Sequence, residues 1–405
     1  MRKGWNIKCL ADIAVVKGGK RVPKGYKLES EPTEHPYITI SDFTDDGTID
    51  TSNLRYVDSA IFQQIKNYTI STKDLYLSIA GTIGRTGYVP PELDGASLTE
   101  NACKLVLRPG IDRDFIYYFT KSEDFSRQAG INTRTAAQPK LALERLKTIT
   151  LSVPESLAEQ KRIVTLLDEA FAHIATAKAN AEQNLQNARA LFDSHLQSVF
   201  SRRNKGWLNK PLGDCVNAIS TGPFGSLLHK SDYVFGGTPL VNPINIAGEE
   251  IVSNPNKTVS TETVDRLHAY KLRENDIVIA RRGEIGRCAV VQKDQSGWLC
   301  GTGCFIIRPS KSTDPHYLTH LLRSAHYRKQ LEGVSDRATM PSISNSDLSS
   351  LVVVLPPITE QLNFLERIKL LSTETQRLES IYQQKLSALD ALKKSLLHQT
   401  FSGQL

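Results

Sequence analysis

The chain has 405 residues, of which 40% belong to the hydrophobic set and 23% are charged. At about 100–200 residues per domain, this composition predicts two or three globular units with real cores and excludes a wholly disordered chain. The 50 Lys and Arg residues outnumber the 43 Asp and Glu residues, which gives a net charge of +7. This excess is compatible with an anionic partner such as nucleic acid but does not prove one.

The N-terminal segment is basic, but no apolar stretch follows it, which argues against a secretory signal. No apolar run approaches the about 20 residues that a membrane helix needs. We therefore expect no membrane contact and a cytoplasmic location. The six cysteines are scattered along the chain, and without an export signal we expect reduced thiols rather than disulfides.

The chain contains an internal repeat. A shift of about 201 residues brings similar segments into register, and their order is kept throughout. The matching segments are residues 4–5 with 206–207, 81–85 with 283–287, 107–109 with 307–309, 127–128 with 329–330, 153–154 with 355–356, 159–160 with 360–361 and 200–201 with 401–402. Such collinear matches predict a tandem duplication.

Each copy is predicted to have two parts. Residues 4–155 and 206–357 contain short apolar stretches separated by Gly, Pro and Asn, which is typical of strands in compact α/β or α+β domains. One helix is predicted in each, near residues 114–128 and 315–330. The segments that follow contain neither Pro nor Gly and are rich in Ala, Leu, Gln, Glu and Lys, which predicts two long helices.

Both long helices carry an apolar stripe. In the first, steps of four and three residues alternate and continue after a slip, and the second stripe is less regular but still one-sided. The first stripe is Ile163, Leu167, Ala170, Ile174, Ala177, Ala181, Leu185, Ala188, Phe192 and Leu196, and the second is Leu365, Ile368, Leu371, Leu378, Tyr382, Leu386, Leu389, Leu392 and Leu396. Packing the stripes together would bury both, although two separate surface helices remain an alternative.

The predicted fold is therefore an α/β (α+β) tandem repeat. Two globular domains, residues 1–155 and 204–357, are separated by a pair of long antiparallel coiled-coil helices, residues 156–203 and 358–405. A duplicated chain whose helices pair in this way acquires an approximate twofold axis within one polypeptide.

Motifs of common enzyme classes are missing from the sequence. Residues 18–20 and 81–84 each lack part of a phosphate-binding loop, and no G-x-S-x-G or H-E-x-x-H string occurs. The segment Asn242-Pro243-Ile244-Asn245 resembles the motif of DNA amino-methyltransferases but lacks its second proline and its aromatic ring. We interpret this segment as a turn.

A cysteine and histidine spacing comes close to that of a zinc finger. It consists of Cys300, Cys304, His316 and His320. The repeat argues against a metal, because the aligned residues of the first copy are Glu100, Lys104, Asp114 and Tyr118. The same strand and helix are thus predicted in a copy that has no ligand set, and we expect no metal site.

Basic and polar residues next to glycines or in matched loops are candidates for DNA contacts. Cations at loop tips suit phosphates, and Arg or Gln side chains can bond base edges. The candidates from these loops are Lys17, Lys20, Arg21, Lys24, Arg85, Arg134, Thr135, Gln138, Arg281, Arg282, Arg287, Arg337 and Ser342. The copies diverge most around residues 20–60 and 222–260, which predicts one scaffold with two different specificities.

Three further segments carry a family resemblance. Residues 151–164 (LSVPESLAEQKRIV) and 354–361 (VLPPITEQ) join a globular part to a helix, and residues 401–405 (FSGQL) close the second helix. Together with the repeat, they make the whole chain resemble the specificity subunit of type I restriction-modification enzymes. Residues 221–226 (TGPFGS) also resemble a loop of its target recognition domains, which adds Thr221, Ser226 and the following Lys230 to the candidates.

The resemblance implies a DNA-binding subunit that is not itself catalytic. Such a subunit binds a bipartite asymmetric target on double-stranded DNA and positions two modification and two restriction subunits. It also implies that this chain binds no cofactor, and that S-adenosylmethionine, ATP and Mg are bound by the partner subunits. A tandem-repeat scaffold that binds only proteins, or an enzyme within this chain, would be the alternatives.

Overall fold

The computed structural model describes residues 4–130, 140–201, 207–223, 227–335, 342–402 and 404. Two compact units are found: unit 1 is Met1–Glu182 with Gln383–Leu405, and unit 2 is Gln183–Tyr382. Each unit contains one globular part and a portion of both long helices. Within the described residues, no helix has the length and apolar character needed to cross a membrane.

The first copy of the repeat contains nine strands and six helices among its described residues. The strands are β1 Trp5–Cys9, β2 Ala14–Gly18, β3 Pro36–Ile38, β4 Arg55–Tyr56, β5 Leu75–Ser78, β6 Thr86–Tyr88, β7 Ser97–Leu98, β8 Ala102–Leu107 and β9 Thr150–Pro154. The helices are α1 Leu10–Ile13, α2 Ser59–Ile65, α3 Arg113–Thr120, α4 Glu123–Ala129, α5 Leu143–Lys147 and the long α6 Leu157–Ser201.

The second copy follows the same plan. Its strands are β10 Leu208–Pro211, β11 Val216–Thr221, β12 Tyr233–Val234, β13 Thr238–Val241, β14 Ile246–Ala247, β15 Glu250–Ile251, β16 Thr258–Val259, β17 Ile277–Ala280, β18 Cys288–Val290, β19 Leu299–Cys300, β20 Cys304–Pro309 and β21 Val352–Leu355. Its helices are α7 Thr261–Arg266, α8 Pro315–Arg323, α9 Ala325–Ser335, α10 Asn345–Ser350 and the long α11 Ile358–Phe401.

The sheets of the two units have matching strand orders. The central sheet is antiparallel in both, with the order β2-β8-β5-β6 in unit 1 and β11-β20-β17-β18 in unit 2. A second sheet contains one parallel pair, β3 with β7 or β13 with β19. These matching orders confirm the tandem repeat. Unit 2 has the additional strands β12, β14 and β15, which lie in the segment where the sequences of the copies diverge.

Each central sheet is covered by a helix with a one-sided apolar face. In unit 1, Phe115 and Phe119 of α3 pack in one core with Leu75 and Leu77 of β5. In unit 2, Tyr317 and Leu321 of α8 pack with Ile277 and Ile279 of β17. Burial of each such side chain contributes about 1.5–3 kcal/mol to the free energy of folding, so these faces fix the helices on the sheets.

The sequence predicts one helix over residues 114–128, but the structure has two, α3 and α4. The side chain of Ser122 accepts a hydrogen bond from the backbone N–H of Phe125 and so begins a new helix. In unit 2, α8 likewise ends at Arg323, and extended backbone at Ser324 separates it from α9. Side-chain capping competes with helix continuation here, and apolar spacing alone does not reveal it.

The two long helices pack against each other in antiparallel fashion. In unit 1, Ile163 and Leu167 near the start of α6 lie in one core with Leu397 and Phe401 near the end of α11. Farther along, Lys178 donates to Asp390 at 2.8 Å. In unit 2, Arg189 donates to Glu379 at 2.7 Å, and Phe192 packs against the core that contains Phe364 and Ile368.

Up to Phe192, the predicted stripe of α6 faces the partner helix and the unit cores; the side chain of Leu196 lies outside the described residues. Ile163, Leu167, Ile174, Ala181 and Ala188 are all buried. The prediction of the α11 stripe is less accurate. Leu378 and Leu392 were assigned to it but are 38% and 46% exposed, whereas Phe364 and Leu397 were not assigned to it and are buried. The less regular apolar spacing of α11 left its buried face ambiguous.

One glutamine joins each long helix to its globular part. Gln160 is fully buried; its side-chain oxygen accepts from the backbone N–H of Asp112 at 2.8 Å, and its Nε2 donates to the carbonyls of Gly110 and Pro154. Gln361 makes the same three contacts, with Asp314, Ser312 and Pro356. Each glutamine thus ties the first turn of a long helix to the loop before α3 or α8.

Candidate nucleic-acid interface

Three strand ends meet at one edge of the central sheet of unit 2. Because β11 and β17 both run antiparallel to β20, the ends of β11 and β17 lie beside the start of β20. The backbone N–H of Arg281 donates to the carbonyl of Gly303 at 2.9 Å, and Arg282 forms a β-bridge with Ser342. We name the edge formed by Thr221, Arg281, Arg282 and Ser342 the unit 2 edge.

Glycines allow the backbones at this edge to approach closely. A Cβ atom on Gly222 would lie 2.0 Å from the carbonyl oxygen of Gly301, so any other residue would force the strands apart. The N–H of Gly222 donates to the carbonyl of Cys304 at 3.0 Å. The edge is therefore a close-packed frame from which side chains project.

The two arginines of the unit 2 edge differ in environment. Arg282 is exposed, whereas the guanidinium of Arg281 lies over the ring of Phe305, 5.3 Å from its centre. Burial, together with the nearby Arg282 charge, lowers the pKa of Arg281, but an arginine stays protonated at neutral pH. Within the described residues, its Nε has no hydrogen-bond partner. The edge thus presents two positive charges.

Unit 1 has the same frame with different side chains. The N–H of Gly19 donates to the carbonyl of Ala102, as that of Gly222 does to Cys304, and the N–H of Leu141 donates to the carbonyl of Ile79. In the aligned sequences, Ile79 and Ala80 stand where unit 2 has its two arginines. The cations of this unit 1 edge come from the β2 side instead, and they are Lys17, Lys20 and Arg21.

The unit 1 cations are exposed, and two of them have partners within the protein. The ammonium group of Lys20 lies 5.6 Å from the ring centre of Tyr68. Arg21 forms an ion pair with Glu100 at 2.5 Å. Lys17 projects from β2, and Lys24 lies in the loop that follows. In unit 2, Lys230 begins a short exposed turn, Lys230–Asp232.

The recurring Arg85 and Arg287 make matching contacts inside their units. Arg85 donates through Nη1 to the carbonyl of Phe43 at 2.9 Å and forms an ion pair with Asp45. Arg287 donates through Nη1 to the carbonyl of Ile246 at 3.2 Å. Each arginine therefore holds the loop that follows the second sheet's parallel strand, and a DNA contact through the remaining donors stays a prediction.

Five candidates lie outside the described residues: Arg134, Thr135, Gln138, Ser226 and Arg337. Their role as DNA contacts remains a prediction from the sequence.

Sequence reasoning missed one exposed residue near the unit 2 edge. The segment interpreted as a turn forms one, Pro243–Asn245, and its central Ile244 is 80% exposed. The sequence held no signal for this exposure, because the central residue of the aligned turn in the first copy, Ile40–Asp42, is a serine.

The cysteines and the histidines of the zinc-like spacing lie in different surroundings. Cys300 and Cys304 are buried in an apolar core of unit 2, while His320 on α8 lies 3.7 Å from Glu249. The part of the chain that the structure describes holds no group of three or more His, Cys, Asp or Glu residues arranged for a metal ion.

Comparisons with known proteins agree with the repeat. The sequence model of the family described as "Type I restriction modification DNA specificity domain" matches residues 2–187 and again residues 204–387. The chain is 22% identical to the type I restriction enzyme EcoKI specificity subunit of Escherichia coli K12, over 100% of this chain and 89% of the relative. It is 23% identical to the EcoBI specificity subunit of Escherichia coli, over 84% and 75%.

Solved structures show the same fold. A chain from a study of complex assembly and conformational transition in the type I R-M system has a TM-score of 0.74 and 19% identity, with 100% of this chain and 99% of that chain covered. The HsdS subunit from Thermoanaerobacter tengcongensis has a TM-score of 0.68 and 19% identity, with 100% and 98% covered. With two family domains along its length, this chain belongs to the type I restriction-modification DNA specificity family, and its role is DNA sequence specificity.

Proposed function

We propose that this chain binds a bipartite asymmetric DNA target, with each unit reading one half. The observation that carries this proposal is the pair of matched sheet edges, which share a backbone frame but present different cations. Lys17, Lys20 and Arg21 come from β2 and the loop after it in unit 1, whereas Arg281 and Arg282 follow β17 in unit 2. A common frame with different side chains suits two unlike half-sites.

The chain also positions partner subunits, namely two modification and two restriction subunits. The long helices support this part of the proposal, because they carry large apolar side chains that are exposed in the chain alone. On α11, Leu362 and Leu370 are 49% and 70% exposed, and on α6, Leu191 is 63% exposed. Exposed leucines on a helix suit a protein partner with an apolar groove.

We further propose that the chain is not itself catalytic, and that S-adenosylmethionine, ATP and Mg are bound by the partner subunits. The cysteine thiols support this view. Burial raises the pKa of Cys288 to about 12, and burial also raises the pKa of Cys103 and Cys304. These three buried thiols therefore stay protonated at neutral pH and are poor nucleophiles.

A base-resolution map of N6-methyladenine, made in cells with and without this gene, tests the DNA-binding proposal. We expect a split motif to lose its methylation when the gene is deleted and to regain it on complementation. A map that does not change on deletion would contradict the proposal.

The non-catalytic part is tested with the purified chain, S-adenosylmethionine and the mapped target. We expect no methyl transfer by the chain alone and transfer after its modification subunits are added. Methyl transfer by the chain alone would show that this part is wrong.

A further inference from the structure

Ile244 is a large apolar side chain with 80% of its surface exposed. Single exposed apolar residues are common on protein surfaces, so exposure alone says little about function. Its position in unit 2 is more informative, because the turn Pro243–Asn245 borders the edge that carries the two arginines.

Two contacts place the turn beside the unit 2 edge. A Cβ atom on Gly303 would lie 2.7 Å from the ring of Pro243, and the carbonyl of Gly303 accepts the hydrogen bond from the N–H of Arg281. On the other side, a Cβ atom on Gly301 would lie 2.3 Å from Oδ1 of Asn242. Ile244 therefore follows a proline that lies against Gly303, the residue whose carbonyl is bonded to the N–H of Arg281.

The turn holds Ile244 in a fixed position. The buried Asn245 accepts through Oδ1 from the N–H of Asn242 at 2.9 Å and donates through Nδ2 to the carbonyl of Val252 at 2.8 Å. Pro243 restricts the backbone at the start of the turn. The β-branched side chain of isoleucine is itself restricted at χ1, so little entropy remains to be lost when it contacts a partner.

The aligned turn of unit 1 has the same frame but a polar side chain. There the N–H of Thr39 donates to Asp42 at 2.7 Å, as that of Asn242 does to Asn245. The central residue is Ser41, which is exposed. The two turns therefore offer a hydroxyl in unit 1 and a branched alkyl group in unit 2 at one position of a common scaffold.

We propose that Ile244 packs against the 5-methyl group of a thymine in the half-site that unit 2 reads. This inference rests on the DNA-binding function proposed above. Among the base edges of the major groove, the thymine methyl is the apolar group, whereas the others offer hydrogen-bond donors and acceptors. The cations of Arg281 and Arg282 suit the phosphates beside such a base.

The test uses the mapped target and the full-length chain assembled with its modification subunits. Each thymine of the target is replaced in turn by deoxyuridine, which lacks only the methyl group, and dissociation constants are measured. We expect one replacement to weaken wild-type binding by about 3- to 10-fold. Ile244→Ser should weaken binding of the thymine duplex by a similar factor and should bind the two duplexes equally.

Two further variants serve as controls. Ile244→Val should keep the preference for thymine over deoxyuridine, because it retains a branched apolar side chain. Ser41→Ala should leave that preference unchanged, and thermal unfolding should show that all three variants fold.

The inference is overturned if no deoxyuridine replacement weakens wild-type binding, or if the preference for thymine persists in Ile244→Ser. Specific DNA binding would remain in both cases, so the proposed function would stand. Failure of the wild-type complex to bind the mapped target would instead contradict the proposed function.

Discussion

At the scale of single residues, one buried glutamine in each copy joins the globular part to its long helix. Gln160 and Gln361 each bond one backbone N–H and two carbonyls, and the bond to the carbonyl of Pro154 or Pro356 is buried. The repeat reveals that both copies keep a Glu-Gln pair, but it does not reveal these contacts. The N–H partners, Asp112 and Asp314, lie 48 and 47 residues away along the chain, and only the fold brings them near.

Gln160→Leu should lower the free energy of unfolding by about 3 kcal/mol, because each unsatisfied buried polar group costs about 1–3 kcal/mol. Urea unfolding at pH 7.5 measures the change. Gln183→Leu is the matched control, since Gln183 is exposed on the same helix, and it should change stability by less than about 0.5 kcal/mol. Equal effects of the two substitutions would contradict the role assigned to Gln160.

A second residue-scale prediction concerns pH. Burial lowers the pKa of His320 from its usual value of 6.5; the charge of Arg323 acts in the same direction and that of Glu249 opposes it. The unfolded state therefore takes up a proton at a pH where the folded state does not. The neutral His320 makes its full contribution to the free energy of unfolding above about pH 6.5. That contribution declines as the pH falls from this value toward the pKa of the folded state.

We expect the wild-type chain to lose up to about 1 kcal/mol more stability between pH 7.5 and pH 5.5 than His320→Gln loses. Denaturant unfolding at both pH values measures the difference. Each protein is compared with its own stability at pH 7.5, where the wild-type His320 is largely neutral in the folded and the unfolded state. An identical loss in the two proteins would show that His320 does not titrate in this way.

The site residues show which parts of an interface a sequence can predict. Thr221, Arg281 and Ser342 were candidates for separate reasons, and the structure brings them to one sheet edge. Recurrence also selected Arg85 and Arg287, but both bond to carbonyls of a distant loop. Recurrence in a repeat marks shared contacts of any kind, and it cannot separate those within the fold from those with a partner.

Among the elements, the long helices were the most predictable. The absence of Pro and Gly and the regular stripe of α6 are local features, and they needed no knowledge of tertiary contacts. The boundary between α3 and α4 was not predictable in this way, because it depends on a single capping bond from Ser122. The exposed Leu378 and Leu392 show the same limit, since partner contacts choose the buried face of α11.

The length of the long helices should set the gap between the two halves of the DNA target. Four residues inserted after Asn184 add about one helical turn, or about 6 Å, which corresponds to one or two base pairs. A methylation map of cells that carry the insertion should show a spacer longer by that amount. Four residues inserted after Glu31, in an exposed loop of unit 1, should leave the spacer unchanged. An unchanged spacer after the helix insertion would contradict the prediction.

For the whole molecule, the charge distribution predicts how salt affects binding. The excess of Lys and Arg is small, but the candidate cations project from two sheet edges that are built alike. If several of them neutralise phosphates, counterions are released on binding. Target affinity should then fall about 100-fold or more between 50 and 200 mM NaCl.

Fluorescence anisotropy with a labelled target duplex measures this dependence, and the affinity for the modification subunits, proposed above to dock on exposed leucines, provides a comparison. A purely protein-binding scaffold would show little change in affinity for its partner over the same range. A fall in DNA affinity of less than about threefold would favour that scaffold.

The place of Phe401 has a consequence for biosynthesis. Phe401 packs 5.1 Å from the ring of Phe115 and 5.4 Å from that of Phe119, inside the core of unit 1. Ribosomes deliver Phe115 long before Phe401, although domains of most proteins fold in the order of their synthesis. The core of unit 1 therefore lacks one of its aromatic rings until translation has nearly passed through the second copy. A frameshift late in the gene would consequently damage the first half of the product as well as the second.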